Sequence, residues 1–512
     1  MKKTLALLLA LLTVMSVLCA CATPADPDDG ETVETTTPAA QTPSDEVTTP
    51  TEETTADKYD VGDNLPELNF GGATFTILSR GRDWCRDEVS VEDMNGEPIN
   101  DAVYNRNIAV ESRLGIEINN IMTTDNDNYT ISNTIRTSVN SGDKEYDMLA
   151  NSVYSTIMYT GEGLFQDLLP CEYLDLEQIW WAQGFNKAAS IGDAQYFVTG
   201  AIALSTYRFI FATFLNRQTF AANGIELPYQ KVKDGKWTLD YQYEISQNIY
   251  VDNNGDNQKD DGDSYGFVTN ADMIGVDAYW SSCDLPILVK TEDNYLEYAM
   301  DVERLSTAVE KINHLIWDNP GAYSVKHMTA DSEQEVIANI FANGNAAMAT
   351  LRLISAEGSD MRNMSDDYGI VPIPKLDEAQ TEYYSYAHDT FTAYAVPATV
   401  IDERLEQVGA ILEAMASESY RTVLPAYYEI TLKDKYCNDP ESRDMLDTII
   451  NSFYIDAGVL YTKKIQSVHQ KMRDFIGKNA NNIVASTMKG LARMVPKSLE
   501  DLVDGIKKVQ ER

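Results

Sequence analysis

The most regular set of candidate ligands in this 512-residue chain is the run Asp252-Asn253-Asn254-Gly255-Asp256-Asn257-Gln258-Lys259-Asp260-Asp261-Gly262-Asp263. Counted from Asp252, side-chain oxygens fall at positions 1, 3, 5, 9 and 12, which are Asp252, Asn254, Asp256, Asp260 and Asp263. Gln258, at position 7, offers its backbone carbonyl. This is the spacing with which an EF-hand loop wraps hard oxygen donors around one Ca2+ ion. Two positions depart from that pattern. Asn257 stands where such loops carry glycine, a change that the access of asparagine to left-handed backbone geometry tolerates, and Asp263 replaces the longer bidentate glutamate. The spacing predicts a structural calcium site, because a loop that fills its own cation leaves little for a substrate. The alternative is a solvated acidic turn.

Other reactive constellations are missing. The chain has 4 His and contains no HExxH, GxSxG, phosphate loop or CxxC, so the sequence motifs of zinc, serine-nucleophile and nucleotide chemistry do not occur. A glycosidase needs two carboxylates facing each other across a cleft. Among 80 acidic residues such a pair arises by chance, so acid abundance is no argument for an enzyme. The formal charge of −40 repels nucleic acid and anionic membrane surfaces, which are bound through clustered Lys and Arg. With 29 Tyr against 14 Phe, the aromatic complement favours faces that are apolar but carry a polar tip. Once Cys19 and Cys21 are set aside with the amino-terminal segment, Cys85, Cys171, Cys283 and Cys437 remain. Their wide spacing fits two disulfides or buried free thiols, and does not decide between them.

Residues 1–20 read as a signal peptide, with Lys2 and Lys3 ahead of an apolar stretch from Thr4 to Leu18 that is shorter than a bilayer span. Leu18-Cys19-Ala20-Cys21 resembles a bacterial lipobox, which makes Cys21 the expected acylation site and places the protein on the extracellular face of the cell membrane. No later segment is long and apolar enough to span. From Ala22 to Asp57 the chain is Thr, Pro and acid rich, holds ten acids and lacks Lys, Arg and aromatic residues. It cannot bury enough surface to offset chain entropy, so 21–57 is expected to be a lipidated cysteine followed by a disordered stalk.

From Lys58 onward strand-like and helix-like segments alternate. Ala73 to Ser79 reads as a strand, Asn100 as the cap of a helix with Val103, Val110 and Leu114 on its apolar side, and Gly115 as its stop. Ile116 to Ile121 is a second strand, Ile131 to Val139 a helix, and Tyr146 to Ala150 a third strand. This βαβαβ order predicts a largely parallel sheet with helices on both faces, and in such sheets ligands bind beyond the carboxyl ends of the strands. Arg80, Trp84, Asn151 and Tyr154 occupy those ends. Aromatic faces there can stack on the CH faces of sugar rings, and Arg and amide groups can bond hydroxyls.

Four later segments carry a resemblance. Phe214-Leu-Asn-Arg-Gln-Thr-Phe220-Ala-Ala-Asn-Gly224-Ile-Glu-Leu-Pro228, Lys236-Trp237-Thr238-Leu239-Asp240, Phe341 to Met348, and Tyr368-Gly-Ile-Val-Pro-Ile-Pro374 occur in this order behind the lipobox and stalk. Over roughly Leu68 to Arg512 the chain resembles the extracellular solute-binding proteins of ABC importers related to maltose-binding protein. It departs from them in the insertion Tyr229 to Gly235.

The resemblance implies an α/β, two-lobe periplasmic-binding-protein-like fold with a hinge and an interlobe ligand cleft. Lobe 1 would comprise 58–205 plus 390–435 and lobe 2 would comprise 206–389 plus 436–512. The hinge would include Ala203 to Tyr207 and Asp389 to Thr392. Tyr207 at the crossing, and Trp280, Arg352, Tyr386, His388 and Asp389 in the second lobe, sit where the resemblance places cleft residues. The function implied is capture of a small solute, carbohydrate first, by a monomer that delivers it to the transmembrane subunits of a permease. An exported glycosidase and a surface adhesin are the rival classes, and neither requires the two-lobe hinge.

Overall fold

The computed structural model describes residues 58–511 apart from 83, 124–127, 272–273, 327–329 and 437–438. The expected signal segment, Cys21, the stalk up to Asp57 and Cys437 lie outside the described residues.

The first sheet grows from local sequence as the alternation implied. Ala73–Arg80 (β1) buries Phe75, Ile77 and Leu78. A helix over Pro98–Leu114 follows and buries Val103, Val110 and Leu114. Asn100 does not cap it. Pro98 starts the helix, where its missing N–H would have no partner anyway, and Asn100 lies inside, donating from Nδ2 to the Asp93 carbonyl at 2.8 Å. Gly115 ends the helix at φ +62°, a backbone conformation in which a side chain would also strike Asn69 Oδ1. Ile116–Thr123 (β2) pairs parallel to β1. The helix Asn128–Ser141 then leads to Met148–Ser152 (β3), parallel to β1 on its other side. β3 starts two residues later than expected because Asp147 uses its carboxylate, not only its backbone, to meet β1: Oδ2 accepts the Thr76 amide at 2.7 Å and the Arg404 guanidinium at 2.8 Å.

The second sheet is mixed. Its strands are Phe211–Asn216 (β4), Tyr250–Val251 (β5) and Ser264–Thr269 (β6), then, beyond a separate hairpin of Leu288–Lys290 (β7) and Leu296–Tyr298 (β8), Ala322–Ser324 (β9), Ala346–Arg352 (β10) and Tyr368–Val371 (β11). The order is β11-β4-β10-β6-β5, with β9 also on β6. β4 runs antiparallel to both β10 and β11, whereas β10 and β6 are parallel. Thr392–Ala395 (β12) returns to the first sheet and pairs antiparallel with β3, giving β12-β3-β1-β2. The part built on this first sheet is termed the first lobe and that built on β4 to β11 the second.

Two of the chain's passages between the lobes run in adjacent, antiparallel segments. The Phe211 amide donates to the Tyr386 carbonyl at 2.9 Å and the His388 amide to the Phe209 carbonyl at 3.0 Å, with Ile210 opposite Ala387. The helical turn Ser205–Arg208, which overlaps the stretch Ala203 to Tyr207 expected at the hinge, is fixed to the first lobe by a bond from the Ser205 amide to Glu88 Oε2 at 2.9 Å, so the crossing begins at Phe209. Helix Glu403–Glu418 packs on Pro98–Leu114 in the first lobe, whereas helices Val468–Gly477 and Val484–Gln510 pack on Val302–Ile316 in the second. Among the described residues no helix is long and apolar enough to cross a membrane.

The quoted segments have clear structural work. Asn216 caps the helix Arg217–Ala222 by accepting the Thr219 amide at 2.8 Å. The insertion folds as a short helix, Tyr229–Lys233, stopped near Gly235 at φ +68°. Trp237 is fully buried and donates from Nε1 to the Pro372 carbonyl at 2.7 Å, tying the tryptophan segment to the end of β11. Cys85, Cys171 and Cys283 are buried free thiols, and burial pushes each up to about 12, so these three act as core hydrophobes. Replacing Trp237 with alanine removes both a buried indole and this bond. A loss of about 3–5 kcal/mol is expected in denaturant unfolding of the Trp237→Ala protein, and a loss below about 1 kcal/mol would show that the segment is not part of the core.

Candidate functional site

β1 and β10 end on opposite sides of the crossing, and the loops that follow them meet there. Trp84 comes from the loop after β1, Phe209 from the crossing, and Gln334, Arg352, Ile354 and Ser359 from the second lobe; together they line a cavity of about 410 Å³ between the lobes. The Trp84 and Phe209 rings stand edge to face with centroids 4.8 Å apart. Arg80 lies with its guanidinium 5.0 Å from the Trp84 centroid, and Arg352 lies 5.3 Å from that of Phe209, distances at which a cation is attracted to a ring face.

Arg80 is held from behind. Its Nη2 donates to Thr392 Oγ1 at 2.8 Å, Thr392 in turn bonds the buried Glu88, and Glu88 also takes the Ser205 amide. This set ties β1, β12 and the turn before the crossing together. Nε and Nη1 of Arg80 are buried without a protein partner, as is Nε2 of Gln334, whose Oε1 accepts the Arg352 amide at 3.2 Å. Buried donors without partners cost free energy, so these atoms are available to hydrogen-bond an acceptor.

His388 sits beside Phe209, with ring centroids 6.2 Å apart and Nδ1 3.0 Å from Thr390 Oγ1. Burial, reinforced by the fields of Arg352, Arg473 and Arg80, holds the imidazole well below 6.5 and keeps it neutral at pH 7. Deeper in the seam, Asp277 opens the helix Asp277–Ser282 and receives Arg473 Nε at 2.8 Å as well as Nη2, while His469 Nε2 lies 3.2 Å away. Burial pulls the Asp277 carboxyl upward, but Arg473 and His469 outweigh it and hold the group at about 2. Asp389 has only the neutral His388 beside it, with Nε2 3.5 Å from Oδ1. Burial lifts its carboxyl to about 6 against the field of Arg473, and its Oδ2 is without a partner.

The structure thus brings Arg80, Trp84, Arg352 and His388 together, and sets Tyr154, Tyr386 and Asp389 along the same seam, where the Asp389 charge acts on both tyrosines. Tyr386 stacks on Phe211 at 6.2 Å. Trp280, 2% exposed, packs as a core residue on the Asp277 helix, with Nε1 buried and unpartnered. Two further candidates are not at this cavity. Asn151 is fully buried beneath the strand end and spends Nδ2 on Ser132, Ser155 and Thr156. Tyr207 lines a different cavity with Trp181, Tyr420 and Phe453. The residues that sequence reasoning missed are Phe209, Gln334, Asp277 and Arg473. Phe209 follows Tyr207 by two positions and Asp277 precedes Trp280 by almost one helical turn, but nothing local to Arg473 links it to either.

The acidic loop lies away from this cavity. Asn257 takes φ +62°, as the missing glycine requires. Asp252 accepts the Gly255 and Asn257 amides at 2.6 and 2.8 Å, Asn254 that of Asp256 at 2.9 Å, Asp256 that of Gln258 at 2.7 Å, and Asp260 that of Gly262 at 2.8 Å. Asp263 is fully buried and accepts from the Asn253 amide and the Tyr250 and Tyr265 hydroxyls at 3.0, 3.2 and 3.3 Å. Among the described residues, no group of three or more His, Cys, Asp or Glu side chains is arranged to hold a metal ion.

Two sheets joined by paired crossings, with a cavity at the seam, define the architecture that known structures can be compared with. A cyclo/maltodextrin-binding protein crystallised with maltotetraose matches at TM-score 0.51 and 14% identity over 85% of this chain and 96% of its own. The galacto-N-biose/lacto-N-biose I-binding protein of the ABC transporter from Bifidobacterium longum, bound to lacto-N-biose, matches at TM-score 0.51 and 11% identity over 85% and 98%. The fold is that of the two-lobe ABC-transporter solute-binding proteins. No protein-family model matches the chain, and no curated protein matches it in sequence. In this solute-binding fold the cavity at Trp84, Phe209 and Arg352 occupies the seam between the lobes.

Asp389 gives a pH signature. Its folded-state value of about 6 exceeds the ordinary 3.8, so between these values the native state binds the proton more tightly than the unfolded chain, and the contribution of Asp389 to stability falls as pH rises through that window. The Asp389→Asn protein should therefore gain stability relative to the parent between pH 4 and pH 6, with a constant difference above, in paired thermal melts. A pH-independent difference would contradict the assignment.

Proposed function

We propose that this protein is the solute-binding component of an ABC importer and captures a saccharide between its lobes without chemical conversion. The observation that carries the proposal is the interlobe cavity, where the aromatic pair Trp84 and Phe209 adjoins buried, unpartnered donors on Arg80 and Gln334. A ring with apolar CH faces and a rim of hydroxyls satisfies both requirements at once. Two proteins that share the fold were crystallised with maltotetraose and lacto-N-biose, which agrees with a carbohydrate ligand here.

Closure contributes because Arg80 and Trp84 lie on the first lobe and Gln334 and Arg352 on the second. A ligand that contacts both favours the closed form by its differential affinity and by no more than that. The Cys21 lipid anchor and the stalk hold the capture domain at the extracellular face, and the closed form docks on the permease. Calcium in the loop Asp252 to Asp263 completes the proposal as a structural cofactor, supported by the donor spacing and by the left-handed Asn257.

Two measurements test this. A thermal-shift panel of mono- and oligosaccharides should include a stabilising ligand, and Trp84→Ala should weaken its binding by at least about tenfold in calorimetric titration, equivalent to about 1.4 kcal/mol, with the fold intact. Unchanged affinity removes Trp84 from the site. Chelation should lower the melting temperature of the parent and leave the Asp252→Ala protein unaffected; a parent indifferent to chelation has no structural calcium.

A further inference from the structure

The two lobes are joined by more than their crossings. A segment of the second lobe's carboxyl-terminal part reaches across to the first lobe. The short helix Ala457–Leu460 packs on the first-lobe helix Gln183–Ala189, and the Tyr461 hydroxyl donates to the Ala189 carbonyl at 2.7 Å. Two residues on, Lys463 Nζ donates to the Tyr129 hydroxyl and lies 4.2 Å and 3.8 Å from the ring centroids of Tyr129 and Tyr154. Tyr129 belongs to the helix beside β3, and Tyr154 lies two residues past the end of β3, so both are first-lobe residues. An ammonium set against two tyrosine rings and bonded to one hydroxyl is a favourable contact once its surroundings are drier than water.

The neighbouring contacts reinforce it. Lys464 Nζ lies 3.5 Å from Glu162 Oε1 of the first lobe. The β7–β8 hairpin joins the same side: the Gly192 amide donates to the Asn294 carbonyl at 3.0 Å, and Asn294 Nδ2 returns a bond to the Gly192 carbonyl at 2.7 Å. Both residues hold positive φ, +58° and +57°, which shapes this reciprocal pair. Gly161 packs on Gly505 and Ile506 of the last helix so closely that a side-chain carbon would lie 3.2 Å from the Ile506 nitrogen.

We infer that the segment Ala457–Lys464 is a clasp that holds the lobes together at the Tyr129–Tyr154 end of the seam before any ligand binds, with Lys463 as its contact residue. A ring that stacks on Tyr154 must displace the lysine. The inference stands apart from the nature of the solute, since every contact is within the protein.

Hydrogen exchange of the full chain without ligand tests it, comparing the parent with Lys463→Ala and with Tyr461→Phe. Amides of Asn128–Ser141 and Val153–Tyr159 should exchange at least about fivefold faster in the Lys463→Ala protein, and those of Gln183–Ala189 faster in Tyr461→Phe. Exchange in β4 and β10 should not change in either. Unaltered exchange in the first-lobe segments of both variants would overturn the clasp. So would a uniform increase that includes β4 and β10, because Lys463 and Tyr461 would then belong to the folding core rather than to a separable contact.

Discussion

Everything at the seam depends on the pairing of the two crossing segments, Phe209–Phe211 with Tyr386–His388. A two-lobe protein needs its connections to be short and to share one axis, or the lobes would twist as well as open. Backbone bonds between the crossings supply that constraint and also decide which side chains occupy the seam. Phe209 meets Trp84 on one side, His388 and Asp389 follow directly from the paired strand, and Tyr386 stacks on Phe211. The crossings are thus both the mechanical link and the floor of the site.

The polar groups at this floor are expensive to bury. Asp277 and Arg473 offset the cost by pairing with each other, which fixes the carboxyl-terminal helix Val468–Gly477 against the helix Asp277–Ser282. Arg80 is treated differently. Glu88 and Thr392 orient it, yet part of its guanidinium remains without a partner beside a cavity. The open donors of Arg80 are the ones that the proposed saccharide would take up. The overall charge of −40 bears on this only by contrast, since arginines gather where the rest of the molecule is acidic.

The first lobe was readable because each of its signals is local. Gly115 stops its helix, β1 and β3 show apolar runs, and the crevice rule points to Arg80 and Trp84 from strand order alone. Strand ends and caps shift by a few residues where side chains intervene, as Asp147 and Asn100 do. The same rule misplaces Asn151, because a residue at a strand end can turn inward to bond its own loop. Phe209 stayed hidden behind Tyr207, which differs by only two positions but faces another cavity. Arg473 and Lys463 were beyond reach, since their partners Asp277, Tyr129 and Tyr154 are brought to them only by tertiary folding. The acidic loop is the reverse case, with donor spacing evident in sequence and the carboxylates bonded mainly to the loop's own amides.

The central claim is that ligand capture and lobe closure are one event at this seam. Small-angle scattering of the protein, titrated with a saccharide that stabilises it, measures this directly. The account predicts a smaller radius of gyration at saturation, following the same binding curve as calorimetry. An unchanged radius at saturating ligand would contradict it, and would place the binding of that saccharide outside the interlobe cleft or in a protein that does not close.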